Sequence, residues 1–125
     1  MVENEISRQI IGAAIEVHKE MGPGLLESVY LQCLVRELQL RNVSCITEHS
    51  LNAEYKGLKF DIDYRIDMLV EDRVLVELKV VEAVLPVHCA QLLSYLKLSQ
   101  KRLGLLINFN VDVLRNGIKR IANQL

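Results

Sequence analysis

The order of hydrophobic patterns along the 125 residues predicts an α/β fold, in which a mixed central sheet of about four to five strands lies between helices. Two segments with helical periodicity come first, three segments with strand patterning follow, and a further helix precedes a continuous apolar run. The predicted order is therefore α-α-β-β-β-α-β plus a tail. The length corresponds to a single domain, residues 1–125.

Two helices are predicted at the start of the chain. Through residues 3–20, apolar residues recur at steps of three and four, and charged residues lie between them. Gly22-Pro23-Gly24 should end this helix, because Pro lacks an amide proton and Gly tolerates a positive φ. A second helix is predicted from Leu25 to Leu40, and its core face should hold Leu31, Leu34, Val35 and Leu38.

Three successive strands are predicted next, as an antiparallel meander. Residues 43–55 have mixed polarity, whereas residues 58–70 alternate between apolar and polar side chains over thirteen positions. This period of two predicts a long strand with one buried face. After a turn at Glu71-Asp72-Arg73, residues 74–81 are predicted to form the third strand.

The C-terminal part is predicted to add one helix and at least one strand. Pro86 favours the start of a helix over residues 86–99. Residues 103–109 form an apolar run apart from Asn108, which is typical of a strand covered on both faces. The intervening helix allows this strand to lie parallel to an earlier one. Residues 111–124 should form a short strand or a helix, and the pattern does not distinguish the two.

The composition is that of a globular protein, because half of the residues are hydrophobic and a quarter are charged. No apolar run reaches the roughly 18 residues that span a membrane, and the acidic residues 1–5 do not resemble a secretory signal. Cys33, Cys45 and Cys89 are widely spaced, which argues against a disulfide framework, a zinc site and an iron–sulfur cluster. We therefore expect a cytoplasmic protein with buried free thiols and no membrane partner.

Charge is unevenly distributed along the chain. Residues 1–96 contain nine Lys and Arg against fifteen Asp and Glu, whereas residues 97–125 contain six against one. An acidic body with a basic C-terminal quarter suits an anionic partner held near bound cations. A solvated surface of uneven charge is the alternative explanation.

Two carboxylates and a lysine come together if the central hairpin pairs as its pattern requires. Pairing Val70 with Val74 aligns the apolar faces and places Asp67 opposite Glu77, which shares a strand face with Lys79. Directly paired Cβ atoms lie roughly 4.5–5.5 Å apart. Carboxylates at that distance repel unless one is protonated or a cation lies between them, and Mg²⁺ is a suitable hard cation. The alternative is a solvent-facing pair that neighbouring cations neutralise.

Three motifs resemble those of a known family. Asp67, nine residues and then Glu77-Leu78-Lys79 are similar to the Asp…Glu-x-Lys signature of the PD-(D/E)XK nuclease superfamily. Gln91-Leu92-Leu93-Ser94-Tyr95 resembles the Gln-x-x-x-Tyr motif of RecB-like nucleases. Gly24-Leu25-Leu26-Glu27-Ser28-Val29-Tyr30 resembles the motif that names the GxxExxY protein family, a branch of that superfamily. The resemblance runs from about residue 10 to the end, and it departs at Ile66, where the superfamily name has Pro.

The resemblance implies a restriction-endonuclease-like fold and a site for Mg²⁺ or Mn²⁺. Its implied metal ligands are Asp67, Glu77, the backbone carbonyl of Leu78, and Glu27. Lys79 would orient or activate a water molecule and stabilise charge that develops at the phosphate. The implied catalytic residues are Asp67, Glu77, Lys79, Glu27 and Gln91.

Four residues are candidates for binding nucleic acid. Gln91 and Tyr95 are four residues apart and share a helix face, which in RecB-like enzymes looks onto the active site. Lys101 and Arg102 belong to a basic cluster where the third predicted helix leads into the next strand. We expect this cluster to contact phosphates without sequence readout, or else only to solvate the helix–strand junction.

The function that the resemblance implies is metal-dependent hydrolysis of phosphodiester bonds in nucleic acid, with DNA as the first choice of partner. The alternative is a non-catalytic nucleic-acid-binding or assembly module on the same fold. The sequence leaves open DNA or RNA, single or double strands, endo or exo cleavage, and a homodimer. It also leaves open the roles of His18 and His88, and whether Tyr30 belongs to the core or to the site.

Overall fold

The computed structural model describes the backbone of all 125 residues and the side chains of residues 1–60 and 65–125. The predicted facing of the side chains at 61–64 lies outside this description. The element order confirms the prediction, and the tail supplies a short 3₁₀ helix (Leu114–Gly117) and a strand. The elements are α1 (Glu3–Met21), α2 (Glu27–Leu40), β1 (Cys45–Tyr55), β2 (Leu58–Val70), β3 (Val74–Lys79), α3 (Pro86–Ser99), β4 (Leu103–Asn108) and β5 (Ile118–Ala122).

The five strands form one mixed sheet in the order β1-β2-β3-β4-β5. All neighbours are antiparallel except β3 and β4, which are parallel because α3 returns the chain to the starting end of the sheet. The register of the central hairpin is the predicted one, with Val70 paired to Val74. Its turn is tight, since Glu71 and Asp72 both adopt positive φ, at 52° and 55°.

Helices cover both faces of the sheet. One core cluster lies against α1 and α2 and includes Val74 and Val76, while the other lies against α3 and includes Leu69 and Leu75. The prediction that β2 buries only one face is therefore wrong at its C-terminal end, where Leu69 is 3% exposed. The physical reason is α3, whose Leu92 and Leu96 cover the second face.

The alternation of β2 is interrupted at Asp67. Ile66 and Met68 should share a face in a regular strand, but Ile66 packs in the cluster beneath α3 and Met68 packs in the cluster beneath α1 and α2. The backbone pairing between β2 and β3 ends at Met68 and Val76. On the neighbouring strand β1, Glu48 adopts a positive φ of 51°. The predicted strict alternation is thus wrong at this position, because Ile66 and Met68 pack on opposite sides of the sheet.

Each cysteine is free, as predicted, but Cys33, Cys45 and Cys89 are only partly buried. The thiols are thus less buried than predicted, because each packs at the margin of a core cluster. Among the described residues, no helix is long and apolar enough to cross a membrane.

Candidate metal-dependent hydrolytic site

Asp67 and Glu77 meet where the pairing between β2 and β3 ends. The Asp67 N–H donates to Glu77 Oε1 at 2.9 Å, and the Leu78 N–H donates to Asp67 Oδ2 at 2.8 Å. Each carboxylate therefore accepts a hydrogen bond from the strand that carries the other. The hairpin register brings the two acids together as expected, and these crossed hydrogen bonds hold both side chains in place.

Burial and mutual repulsion make this carboxylate pair costly to ionise. Burial, followed by the charge of Asp67, raises the pKa of Glu77 to about 7, against the favourable effects of the Asp67 N–H and of Lys79. Burial also raises the pKa of Asp67, although the Leu78 N–H and Lys79 act in the opposite direction. A cation bound between the two groups would remove much of this cost.

Glu27 reaches the same site from the first turn of α2. Its side chain is exposed at the rim, and its pKa is raised by burial and then by the charge of Asp67, while Lys79 lowers it. Lys79 thus lies within electrostatic reach of all three acids. Glu27 on α2, Asp67 on β2, and Glu77 and Lys79 on β3 are therefore near enough for their charges to act on one another.

Lys79 is the last residue of β3, and a polar clamp from β4 holds the segment that follows it. The buried Asn108 side chain accepts from the Val81 N–H at 3.1 Å and donates to the Val81 carbonyl at 2.9 Å. The Phe109 N–H donates to the Lys79 carbonyl at 3.0 Å. Asn108 was not among the predicted site residues, although a polar residue at the end of an apolar strand is the signal that marks it.

Tyr30 lies in the core rather than at the site. It is fully buried, and its ring stacks on Phe109 with 4.4 Å between centroids. Its hydroxyl donates to the Gly22 carbonyl at 2.5 Å and accepts from the Leu25 N–H at 3.1 Å. This favours the core alternative, with a hydroxyl satisfied by the loop that precedes Glu27.

The two histidines also have structural partners. His18 is buried, and its Nε2–H donates to the Val111 carbonyl at 2.8 Å. His88 Nδ1 accepts from the Leu85 N–H at 3.0 Å at the start of α3. Both contacts anchor chain segments, so neither histidine is needed to explain the site.

Gln91 and Tyr95 lie on α3 but differ in exposure. Gln91 is exposed, whereas Tyr95 is 9% exposed and packs with Leu92 and Leu96 against the sheet. Within the described side chains, no hydrogen bond joins Gln91 to the carboxylate pair. A role for either residue in binding nucleic acid stays a prediction.

Lys101 and Arg102 lie at the opposite end of the sheet from Lys79. They precede Leu103, which pairs with Val74, whereas Lys79 pairs with Asn108, five residues or about 16 Å further along. Lys101 forms an ion pair with Asp72 at 3.3 Å, and Arg102 donates to the Gln124 carbonyl. The structure therefore does not bring this basic cluster to the carboxylates, and its contact with phosphate stays a prediction.

The donor set suits a small hard cation. Carboxylate oxygens are preferred by Mg²⁺, which commonly uses one or two of them and completes its shell with water and phosphate oxygens. Among the described residues, no group of three His, Cys, Asp or Glu side chains is close enough to hold a metal unaided. The crossed pair of Asp67 and Glu77, with its raised pKa values, fits such a partly hydrated ion.

A family model described as the PD-(D/E)XK nuclease superfamily matches residues 4–121. The chain belongs to this superfamily. The solved structure of SSO0001 superposes with a TM-score of 0.61 at 22% sequence identity, covering 79% of this chain and 51% of that one. The chain therefore spans about half of SSO0001, and the likeness shows a shared fold. No curated protein matches the sequence.

Membership of the PD-(D/E)XK superfamily agrees with the restriction-endonuclease-like architecture. The sheet is mixed and helices cover both of its faces. Asp67 and Glu77 lie where the pairing between β2 and β3 ends. The activity of the chain belongs to the proposal below, because the chain spans only about half of SSO0001. The substrate, the metal and the identity of the catalytic residues belong to the proposal below.

Proposed function

We propose that the protein is a divalent-metal-dependent nuclease that hydrolyses phosphodiester bonds in nucleic acid, and that this nucleic acid is DNA. The observation that carries this proposal is the crossed carboxylate pair of Asp67 and Glu77 with Lys79 beside it. The two acids are half-buried, their pKa values are raised, and the charge of Lys79 acts on both of them. We also propose membership of the GxxExxY branch, because Gly24, Glu27 and Tyr30 have the spacing of the motif that names it.

Asp67 and Glu77 would hold Mg²⁺ or Mn²⁺, together with the Leu78 carbonyl, and Glu27 would act directly or through water. When bound, such an ion polarises the scissile phosphate and lowers the pKa of a coordinated water molecule. The protein's own contribution is preorganisation. The crossed hydrogen bonds hold one oxygen of each acid, so both carboxylates are fixed before a cation binds.

Lys79 supplies a fixed positive charge beside the acids. Its ammonium group would orient the attacking water and donate to a phosphate oxygen as negative charge develops there. The backbone at Lys79 and just after it is held by β4 and the residue that follows it. Asn108 bonds to Val81, and the Phe109 N–H donates to the Lys79 carbonyl. Gln91 at the exposed face of α3 would contact substrate near the site.

The remaining assignments concern partners and location. Tyr95, Lys101 and Arg102 are proposed to contact nucleic acid, the last two at phosphates remote from the scissile one. The three free thiols support a reducing, cytoplasmic location. A homodimer stays a prediction.

The test is an incubation of purified protein with single- and double-stranded DNA and RNA, each with Mg²⁺, Mn²⁺ or EDTA. We expect cleavage that requires the metal and is lost in the Asp67→Asn/Glu77→Gln double variant. Metal-independent cleavage, or equal cleavage by the double variant, would contradict the proposal. Binding without cleavage of any substrate would favour the non-catalytic module instead.

A further inference from the structure

We propose that Tyr30 is a positioning residue for the metal site, because its hydroxyl fixes the loop that sets the first turn of α2 and so the place of Glu27. This inference rests on the proposed function. It assigns a role to a buried tyrosine that does not itself touch the carboxylate pair.

The loop between α1 and α2 depends on the Tyr30 hydroxyl. The hydroxyl donates to the Gly22 carbonyl at one end of the loop and accepts from the Leu25 N–H at the other. Gly22 and Gly24 adopt positive φ of 70° and 94°, so the loop follows a path that other residues would strain to adopt. One side chain thus ties both ends of a conformationally specific loop, two residues before Glu27.

The first turn of α2 has no side-chain cap of its own. Its N-cap residue is Leu26, whose side chain has no atom that could accept a hydrogen bond from the free backbone N–H groups of the turn. A helix start without a cap frays readily unless the preceding chain is held. The Tyr30 hydroxyl supplies that restraint by accepting from the Leu25 N–H. Glu27 is the first residue of α2 and is therefore held in position by it.

The Tyr30 ring connects this turn to the other side of the site. The ring stacks on Phe109 with centroids 4.4 Å apart and planes inclined by 10°. The Phe109 N–H in turn donates to the Lys79 carbonyl. A single buried residue therefore links the strand end that carries Lys79 to the helix start that carries Glu27.

The test is a double-mutant cycle on Mg²⁺ affinity, measured by calorimetry without substrate. Tyr30→Phe keeps the stacked ring and removes only the hydroxyl, and we expect it to weaken Mg²⁺ binding on the order of tenfold, as is typical for residues that orient metal ligands. In a Glu27→Gln background the same change should have about no effect, because Tyr30 acts through Glu27. Tyr55→Phe, at an exposed tyrosine of the β1–β2 hairpin, is the matched control and should bind as wild type does.

A general loss of stability is excluded by Leu38→Val, which perturbs the buried far end of α2. It should lower the melting temperature and leave Mg²⁺ affinity unchanged when binding is measured well below every variant's melting temperature. Unchanged affinity in Tyr30→Phe, or an equal loss with and without Glu27, overturns this inference alone. Absence of Mg²⁺ binding by wild type overturns the proposed function, and this inference with it.

Discussion

Replacing Glu77 with Gln should stabilise the metal-free protein, and the gain should grow with pH. Below pH 4.5 the Glu77 carboxyl is protonated in both the folded and the unfolded chain, so it carries no penalty. As pH rises, the unfolded chain ionises first, because the pKa of Glu77 in the folded protein is raised to about 7. The folded state therefore loses stability between these values, and the loss is complete above the folded pKa.

The size of this effect follows from the two pKa values. A rise from 4.5 to about 7, at ~1.4 kcal/mol for each tenfold change in proton affinity, corresponds to about 3 kcal/mol. The Gln side chain can still accept from the Asp67 N–H, so the hydrogen bond at Oε1 is retained. The free energy of unfolding of Glu77→Gln minus that of wild type should thus be about 3 kcal/mol larger at pH 8 than at pH 4.5.

Urea unfolding in EDTA at these two pH values measures the difference. Glu54→Gln, at an exposed position of β1, is the matched control, and its difference from wild type should change far less. Adding Mg²⁺ at pH 8 should then stabilise wild type more than Glu77→Gln, because binding to the folded state raises stability by mass action. A difference that is the same at both pH values would refute the reasoning.

Three further outcomes are expected. Lys79→Ala should lower the cleavage rate by a factor on the order of 10²–10³ with the fold retained. Lys79→Arg should not restore the rate, because a guanidinium presents its donors differently from an ammonium. Single-turnover kinetics measure both variants, and full activity of Lys79→Ala would place the chemistry elsewhere. Neutralising Lys101 and Arg102 together should flatten the dependence of log affinity on log salt by about one to two, whereas identical slopes would remove the cluster from the binding surface. Asn108→Leu should cost about 1–3 kcal/mol in urea unfolding, because the partly buried Val81 N–H loses its acceptor. Unchanged stability would show that the clamp is dispensable.

Periodicity was enough to place the helices and strands, because each buries a regular set of apolar residues. The run at residues 58–70 and the proline at 86 set two element boundaries that the structure shares. The tail was undecided because its five-residue strand β5 is too short for a period to show. Burial of the second face at Leu69 was missed since it depends on α3, a contact between segments distant in sequence.

The pairing of Asp67 with Glu77 could be predicted from the register of the β2–β3 hairpin. The apolar faces of the two strands coincide only when even-numbered residues pair with even-numbered ones. The interruption at Asp67 could not, because the pattern of apolar residues continues unbroken through Ile66 and Met68 while the packing switches sides. The prediction that Glu27 belongs to the candidate site depended on the resemblance, because no local pattern in the sequence relates α2 to β3. The distance of Lys101 from Lys79 follows from the parallel pairing of β3 and β4, which places the start of β4 away from the end of β3.

The position of a bound Mn²⁺ ion, located by anomalous diffraction from crystals soaked in Mn²⁺, shows most directly whether Asp67 and Glu77 form a metal centre. We expect one strong peak between the two carboxylates, near Glu27 and the Leu78 carbonyl, and its loss in Asp67→Asn/Glu77→Gln crystals. A strongest peak held by other residues, or no peak at this pair under saturating Mn²⁺, would contradict the assignment.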